Sequence, residues 1–132
     1  MARKITVAAA QIRPVLFSLD GSVSRVLAAM ADAAAAGVEL IVFPETFLPY
    51  YPYFSFVEPP VRMGRSHLAL YEQAVVVPGP ASEAIASAAK RHGLHVLLGI
   101  NEREGGSLYN TQLLIDATGA IDRKSTRLNS SH

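Results

Sequence analysis

Two short runs that are apolar almost throughout, residues 5–12 and 38–43, bracket a stretch with helical spacing. Ile5, Val7 and Ile12 in the first, and Val38, Leu40, Ile41, Val42 and Phe43 in the second, are β-branched or large apolar residues with little polar interruption. Runs of that kind suit strands buried on both faces. Between them Val23, Val26, Leu27, Met30, Ala33 and Ala34 recur at helical spacing; Asp20 or Ser22 is available to cap the start and Gly37 to stop the end. A strand, a helix and a strand joined by short links close as a parallel pair with a right-handed crossover, so the expected fold class is α/β.

The rest of the chain extends this layout. Between Pro44 and Pro60 lie Pro49, Pro52 and Pro59 among three tyrosines and three phenylalanines, a density that predicts a long structured loop. Leu68, Tyr71 and Val75 predict a short helix over 65–74, which Val77-Pro78-Gly79-Pro80 breaks. Ile85, Ala88 and Ala89 predict a second helix over 81–92, ended by Gly93. Residues 94–100 and 108–115 read as a third and a fourth strand, joined by Glu104-Gly105-Gly106-Ser107, which has the glycines a hairpin needs. The predicted order is β-α-β-α-α-β-β.

Half of the 132 residues are hydrophobic and 17% are charged, which sets disorder aside over most of the length and predicts one domain with a real core. A net charge of +1 supplies no basic stripe, so nucleic acid is not an expected partner. No apolar run approaches the roughly 18 residues of a spanning helix, and the basic start is not followed by a cleavage pattern, so no membrane association is expected and the reading is cytoplasmic. The absence of cysteine removes disulfides, thiolate metal sites and a cysteine nucleophile from what this chain does alone. His67, His92 and His95 lack ligand spacing, so no metal is expected. Gly105-Gly106 lacks the Lys-Ser/Thr of a phosphate loop.

The tail breaks the pattern. Residues 122–132 hold one large apolar residue, Leu128, and no period. The same eleven residues are one forward-frame translation of a common short-read sequencing adapter. They are therefore read as a non-native scar and excluded from fold reasoning, leaving residues 1–121 as the native portion of a longer protein cut near Ile121.

Glu45 stands out among the polar residues, because it follows directly on the apolar run 40–44 at its carboxyl end, where functional side chains gather in α/β sheets. Phe47, Tyr50, Tyr51 and Tyr53 follow it, an apolar wall of the kind that raises a carboxyl pKa toward general-base use. Position alone leaves a turn-capping role equally open. Tyr51, Tyr53 and Phe54, with Phe56, are candidate substrate-pocket residues on the same proline-rich loop, and packing of the loop is the alternative. Asn110 is expected as a buried hydrogen-bonding support rather than a reacting group.

The run Gly37-Val38-Glu39-Leu40-Ile41-Val42-Phe43-Pro44-Glu45-Thr46-Phe47-Leu48-Pro49-Tyr50-Tyr51-Pro52 resembles the first signature of the nitrilase branch of the carbon–nitrogen hydrolase superfamily. So do Ala8-Ala9-Ala10-Gln11, Val77-Pro78-Gly79-Pro80, Leu97-Leu98-Gly99-Ile100-Asn101-Glu102-Arg103 and Ser107-Leu108-Tyr109-Asn110-Thr111. Tyr50 stands where the family usually has glycine, so it must keep an ordinary φ and adds a ring beside the pocket. The resemblance implies the N-terminal part of a four-layer α-β-β-α sandwich with two sheets back to back.

The resemblance also implies a catalytic Glu, Lys and Cys that hydrolyse a small organic nitrile to carboxylic acid and ammonia through a thioimidate, with no cofactor and in a homo-oligomer. Only Glu45 carries over, as the catalytic base. Lys124 lies near the place of the family lysine but two or three positions early and inside the tail, and is not assigned; the cysteine lies beyond the chain. The fragment itself is therefore expected to be inactive. Two alternatives remain: an amidase or carbamoylase of the same superfamily, and a non-catalytic α/β binding module.

Overall fold

The computed structural model describes residues 2–128. Nine elements follow in order: β1 (Val7–Ala9), α1 (Leu19–Ala35), β2 (Leu40–Val42), α2 (Phe54–Val57), α3 (Pro60–Gln73), α4 (Pro80–His92), β3 (His95–Glu104), β4 (Ser107–Ile115) and β5 (Ile121–Leu128). The strands form one sheet in the order β1-β2-β3-β4-β5, parallel from β1 to β3 and antiparallel from β3 to β5. The α/β class is as the alternating pattern predicts. The described residues form one sheet, with helices α1 and α4 packed together over one of its faces. No helix among the described residues is long and apolar enough to cross a membrane.

One face of the sheet carries the core. Ile41 from β2, Val96, Leu98 and Ile100 from β3, and Leu113 and Ile115 from β4 alternate onto the side where α1 and α4 pack together. Val23, Val26, Met30 and Ala33 answer from α1 and Ile85, Ala88 and Ala89 from α4, the faces their spacing predicts. Burying side chains such as Val26 and Met30 stabilises by about 1.5–3 kcal/mol each. The opposite face is open. There Leu40, Leu97 and Leu114 are only half-buried, and Val7 and Ala9 of β1 are exposed rather than buried on both faces as expected. β1 is an edge strand, and none of the described residues covers its second face.

Local chemistry explains the remaining boundaries. The cap of α1 is Ser18, not Asp20 or Ser22: its Oγ accepts from the Gly21 amide at 2.9 Å. Ser22 is buried one turn on, bonding both backbone groups of Val15. Helix α3 begins at Pro60 instead of near residue 65, because proline at a first helical position sacrifices no hydrogen bond. Gly105 and Gly106, with φ of 57° and 85°, make the two-residue turn of the β3–β4 hairpin. Residues 122–128 of the tail, set aside from fold reasoning, run in β5, because the free edge of β4 offers backbone donors and acceptors to any chain that follows.

Candidate active site

β2 ends at Val42, and its place beside β3 is taken first by Leu48 and then by Val75. The Phe43 amide donates to Leu97 O at 2.9 Å and the Leu48 amide to Gly99 O at 3.2 Å. Residues 44–47 therefore rise off the sheet between two fixed points. Gly99 makes room for them: a Cβ there would lie 2.3 Å from Pro44 O and 2.7 Å from Thr46 N. Thr46 takes a φ of 47°, uncommon for a β-branched residue, to bring the chain back.

Glu45 stands on this arch over the open sheet face. Asn110 Nδ2 donates to its Oε1, and Arg127 Nη2 lies 3.4 Å from the same oxygen. Asn110, Gln112, Ser125, Thr126 and Arg127 line with it a shallow cleft of about 280 Å³. The carboxylate side chain is 52% exposed and its neighbours are polar, so the expected apolar wall is not formed. Asn110 does serve as a hydrogen-bonding support, half-buried and directly on the carboxylate.

The aromatic residues go elsewhere. The Tyr51 ring packs against Tyr53 at 5.2 Å and stacks on Phe56 at 6.1 Å. Phe54 is buried with Tyr50 and Leu70 in a second small core and meets the His67 ring edge-on at 4.8 Å. Neither Tyr51, Tyr53 nor Phe54 is among the residues lining the Glu45 cleft. Rings this close satisfy one another's apolar surface and are drawn into the α2–α3 segment. Tyr50 keeps an ordinary φ, as its place in the run requires, but its ring lies in that second core and against Phe17 rather than beside Glu45. Burial pushes the Tyr50 phenol pKa up.

The sequence matches the model of the carbon–nitrogen hydrolase family over residues 6–130. The chain belongs to this family. Among its relatives, a protein named nitrilase from Paraburkholderia phymatum is 59% identical over 117 residues, covering 89% of this chain and 34% of that protein. An aliphatic nitrilase from Rhodococcus rhodochrous is 39% identical, covering 96% of this chain and 35% of its own length. An amidase from Nesterenkonia sp. superposes with a TM-score of 0.67 at 16% identity, covering 93% of this chain and 42% of that one. A carbon–nitrogen hydrolase from Helicobacter pylori gives 0.65 at 14%, covering 93% and 39%. These two likenesses show the nitrilase-like fold. The chain spans between a third and two fifths of the curated relatives it matches.

In this carbon–nitrogen hydrolase Lys124 and Arg127 of β5 fall on opposite faces. Arg127 pairs in register with Asn110 and so faces Glu45; Lys124 pairs with Leu113 and so faces the helices. Lys124 Nζ reaches Glu102 Oε2 at 2.6 Å, while Thr111 Oγ1 donates to Glu102 Oε1 at 2.9 Å. Glu102 is 1% exposed, a buried carboxylate with one cation on it. The β5 position on the Glu45 side comes three residues after Lys124. Sequence reading missed Gly99, Asn101 and Glu102 as individual residues. Their signal was the motif Gly99-Ile100-Asn101-Glu102 itself, a glycine and two polar residues in an otherwise apolar strand.

Proposed function

We propose that the whole protein of which this chain is the N-terminal portion is a nitrilase that hydrolyses a small organic nitrile to carboxylic acid and ammonia. The observation that carries this is the Glu45 carboxylate, lifted over Gly99 at the end of a parallel strand, with the Asn110 amide on one oxygen. The names of the relatives support nitriles as the substrate class.

Glu45 acts as the general base: it takes the proton of a cysteine thiol, the thiolate adds to the nitrile carbon, and Glu45 passes the proton to the nitrogen to give a thioimidate. Glu45 then takes a proton from water as the water adds and passes it to the nitrogen; the hydroxyl of the tetrahedral intermediate supplies the third proton as the C–N bond breaks, so ammonia leaves and a thioester remains. A second water releases the acid and restores the thiol. A cation on the strand after β4, at the place Arg127 holds here, stabilises the negative charge that develops on nitrogen and oxygen. The cysteine lies in the part of the protein beyond this chain, so the 132-residue polypeptide is inactive. Tyr51, Tyr53 and Phe54 bind substrate in this reading only if the missing part brings the α2 segment toward the cleft. Residues 1–121 are the native portion and 122–132 the scar. The whole enzyme is a cytoplasmic homo-oligomer.

Sequencing the source DNA past codon 121, then expressing the whole frame, tests all of this. Ammonia release from nitriles supports the proposal. Release from amides alone moves the assignment to an amidase, whose fold this chain shares. A natural stop codon after the printed tail overturns it in favour of a binding module.

A further inference from the structure

We infer that Asn101 is a positioning residue for Glu45: its buried side-chain amide fixes the arch on which the carboxylate stands. This role presupposes that Glu45 is the base of the reaction proposed above. Asn101 is fully buried in β3, and its Nδ2 reaches Tyr50 O at 3.0 Å, Leu48 O at 3.4 Å and Thr46 O at 3.5 Å. Its backbone holds the same region, the amide donating to Leu48 O at 2.6 Å and the carbonyl accepting from Val75 N at 2.9 Å.

Leu48 alone is tied by backbone pairing; residues 44–47 are not ladder-bonded to β3. The side-chain amide extends the hold on both sides of Leu48, to Thr46 next to the base and to Tyr50 beyond. Thr46 is also the residue in the uncommon left-handed region, a conformation that persists only where its surroundings over-determine it. Gly99 leaves room under its amide and Asn101 holds its carbonyl, so the two act on opposite ends of one strained residue. Asn101 Oδ1 meanwhile has no partner among the described residues. A buried polar atom left unsatisfied costs stability, so an apolar side chain of similar volume would serve the core better. What the amide supplies and leucine lacks is the grip on Thr46, Leu48 and Tyr50.

The test is Asn101→Leu in the whole protein, with kcat and KM measured on a nitrile the unaltered enzyme hydrolyses and the fold checked by circular dichroism. Displacing Glu45 by a fraction of an ångström to one ångström lowers kcat about 100-fold. KM stays within about twofold, since ground-state binding is untouched. Asn101→Thr, smaller and keeping one donor, falls between the two, and it carries the same readouts if the leucine variant does not fold. A folded variant with unchanged kcat overturns the role. An unaltered protein that releases no ammonia from nitriles or amides overturns the proposed function instead, so the two failures are told apart.

Discussion

Glu45 owes its placement to three residues whose own chemistry is unremarked: Gly99 lacks a Cβ, Asn101 holds the carbonyls around it, and Asn110 meets its carboxylate. On the proposed function Glu45→Gln keeps the shape and removes the base, so in the whole protein it lowers kcat by about 10²–10⁴-fold, measured as ammonia release. Glu45 itself was legible in the sequence, because a strand end followed by Pro and Glu is a local pattern. Asn101 was not, because its partners lie more than fifty residues away and only the folded chain joins them. Two further residues respond to pH. Thr118 Oγ1, then the amides of Ala120 and Thr118, hold the Asp116 carboxyl below its usual 3.8. A folded pKa below the unfolded one gives stability that is present above the unfolded value and lost as pH falls through the folded value. Asp116→Asn therefore lowers the melting temperature at neutral pH, and the gap to the unaltered protein closes in acid; a gap independent of pH contradicts this. Tyr50 has the opposite sign: burial raises its pKa, so its contribution is present below the unfolded value and lost as pH rises through the folded one. Its hydroxyl has no partner among the described residues, so Tyr50→Phe stabilises by about 1 kcal/mol and reduces alkaline sensitivity, both read from denaturant melts across pH.

At the scale of elements, the long periodic segments were readable and the edges were not. α1 and α4 follow from spacing that tertiary packing reinforces, and the glycine pair sets the β3–β4 turn. α3 starts early because a proline-rich stretch reads as loop until one proline becomes the first residue of a helix. β5 illustrates a different limit: a strand imposed by its neighbour's open edge leaves no period in its own residues. The same strand yields a prediction about the natural sequence. Glu102 is buried with Thr111 on one oxygen, and the other faces β5. A buried carboxylate without a cation is strongly destabilising, so on the reading of 122–132 as a scar the natural strand supplies one on its helix-facing side. Sequencing past codon 121 should therefore show Lys or Arg at position 124 or 126, the helix-facing alternation, besides the cation at 127 that faces Glu45. Removing that basic side chain should cost about 3–5 kcal/mol in a urea melt, more than Glu102→Gln, which removes the charge together with the need for it. Apolar or acidic residues at both positions would show that Glu102 is satisfied some other way.

Taken whole, the molecule is a sheet with one covered face. Helices α1 and α4 close over Ile41, Val96, Leu98, Ile100, Leu113 and Ile115, but the other face leaves Leu40, Leu97 and Leu114 half-buried, and Leu40 and Leu114 line a hollow with Ile5, Arg3, Glu39 and His95. A second exposed ridge runs through Phe56, Val57 and Val61, at 74%, 78% and 89% exposure. Relatives two and a half to three times as long have the material to cover such a face; this chain covers 34% to 39% of the first three. Open apolar surface of this kind lowers solubility, and the unpaired outer edges of β1 and β5 add strand-to-strand association to it. The face that most needs covering is also the one on which Glu45 stands, so on the proposed function the rest of the whole protein both buries the sheet and completes the site. The 132-residue chain expressed alone is therefore expected to be poorly soluble or molten: strong far-ultraviolet and weak near-ultraviolet circular dichroism, binding of a hydrophobic dye, and no cooperative transition on heating. The whole protein should keep the far-ultraviolet signal and add strong near-ultraviolet circular dichroism, no dye binding and a cooperative transition. A sharp, reversible melt of a monomeric 132-residue chain would mean that one helix layer on one face suffices for a cooperative core, and that the open face is an interaction surface in its own right.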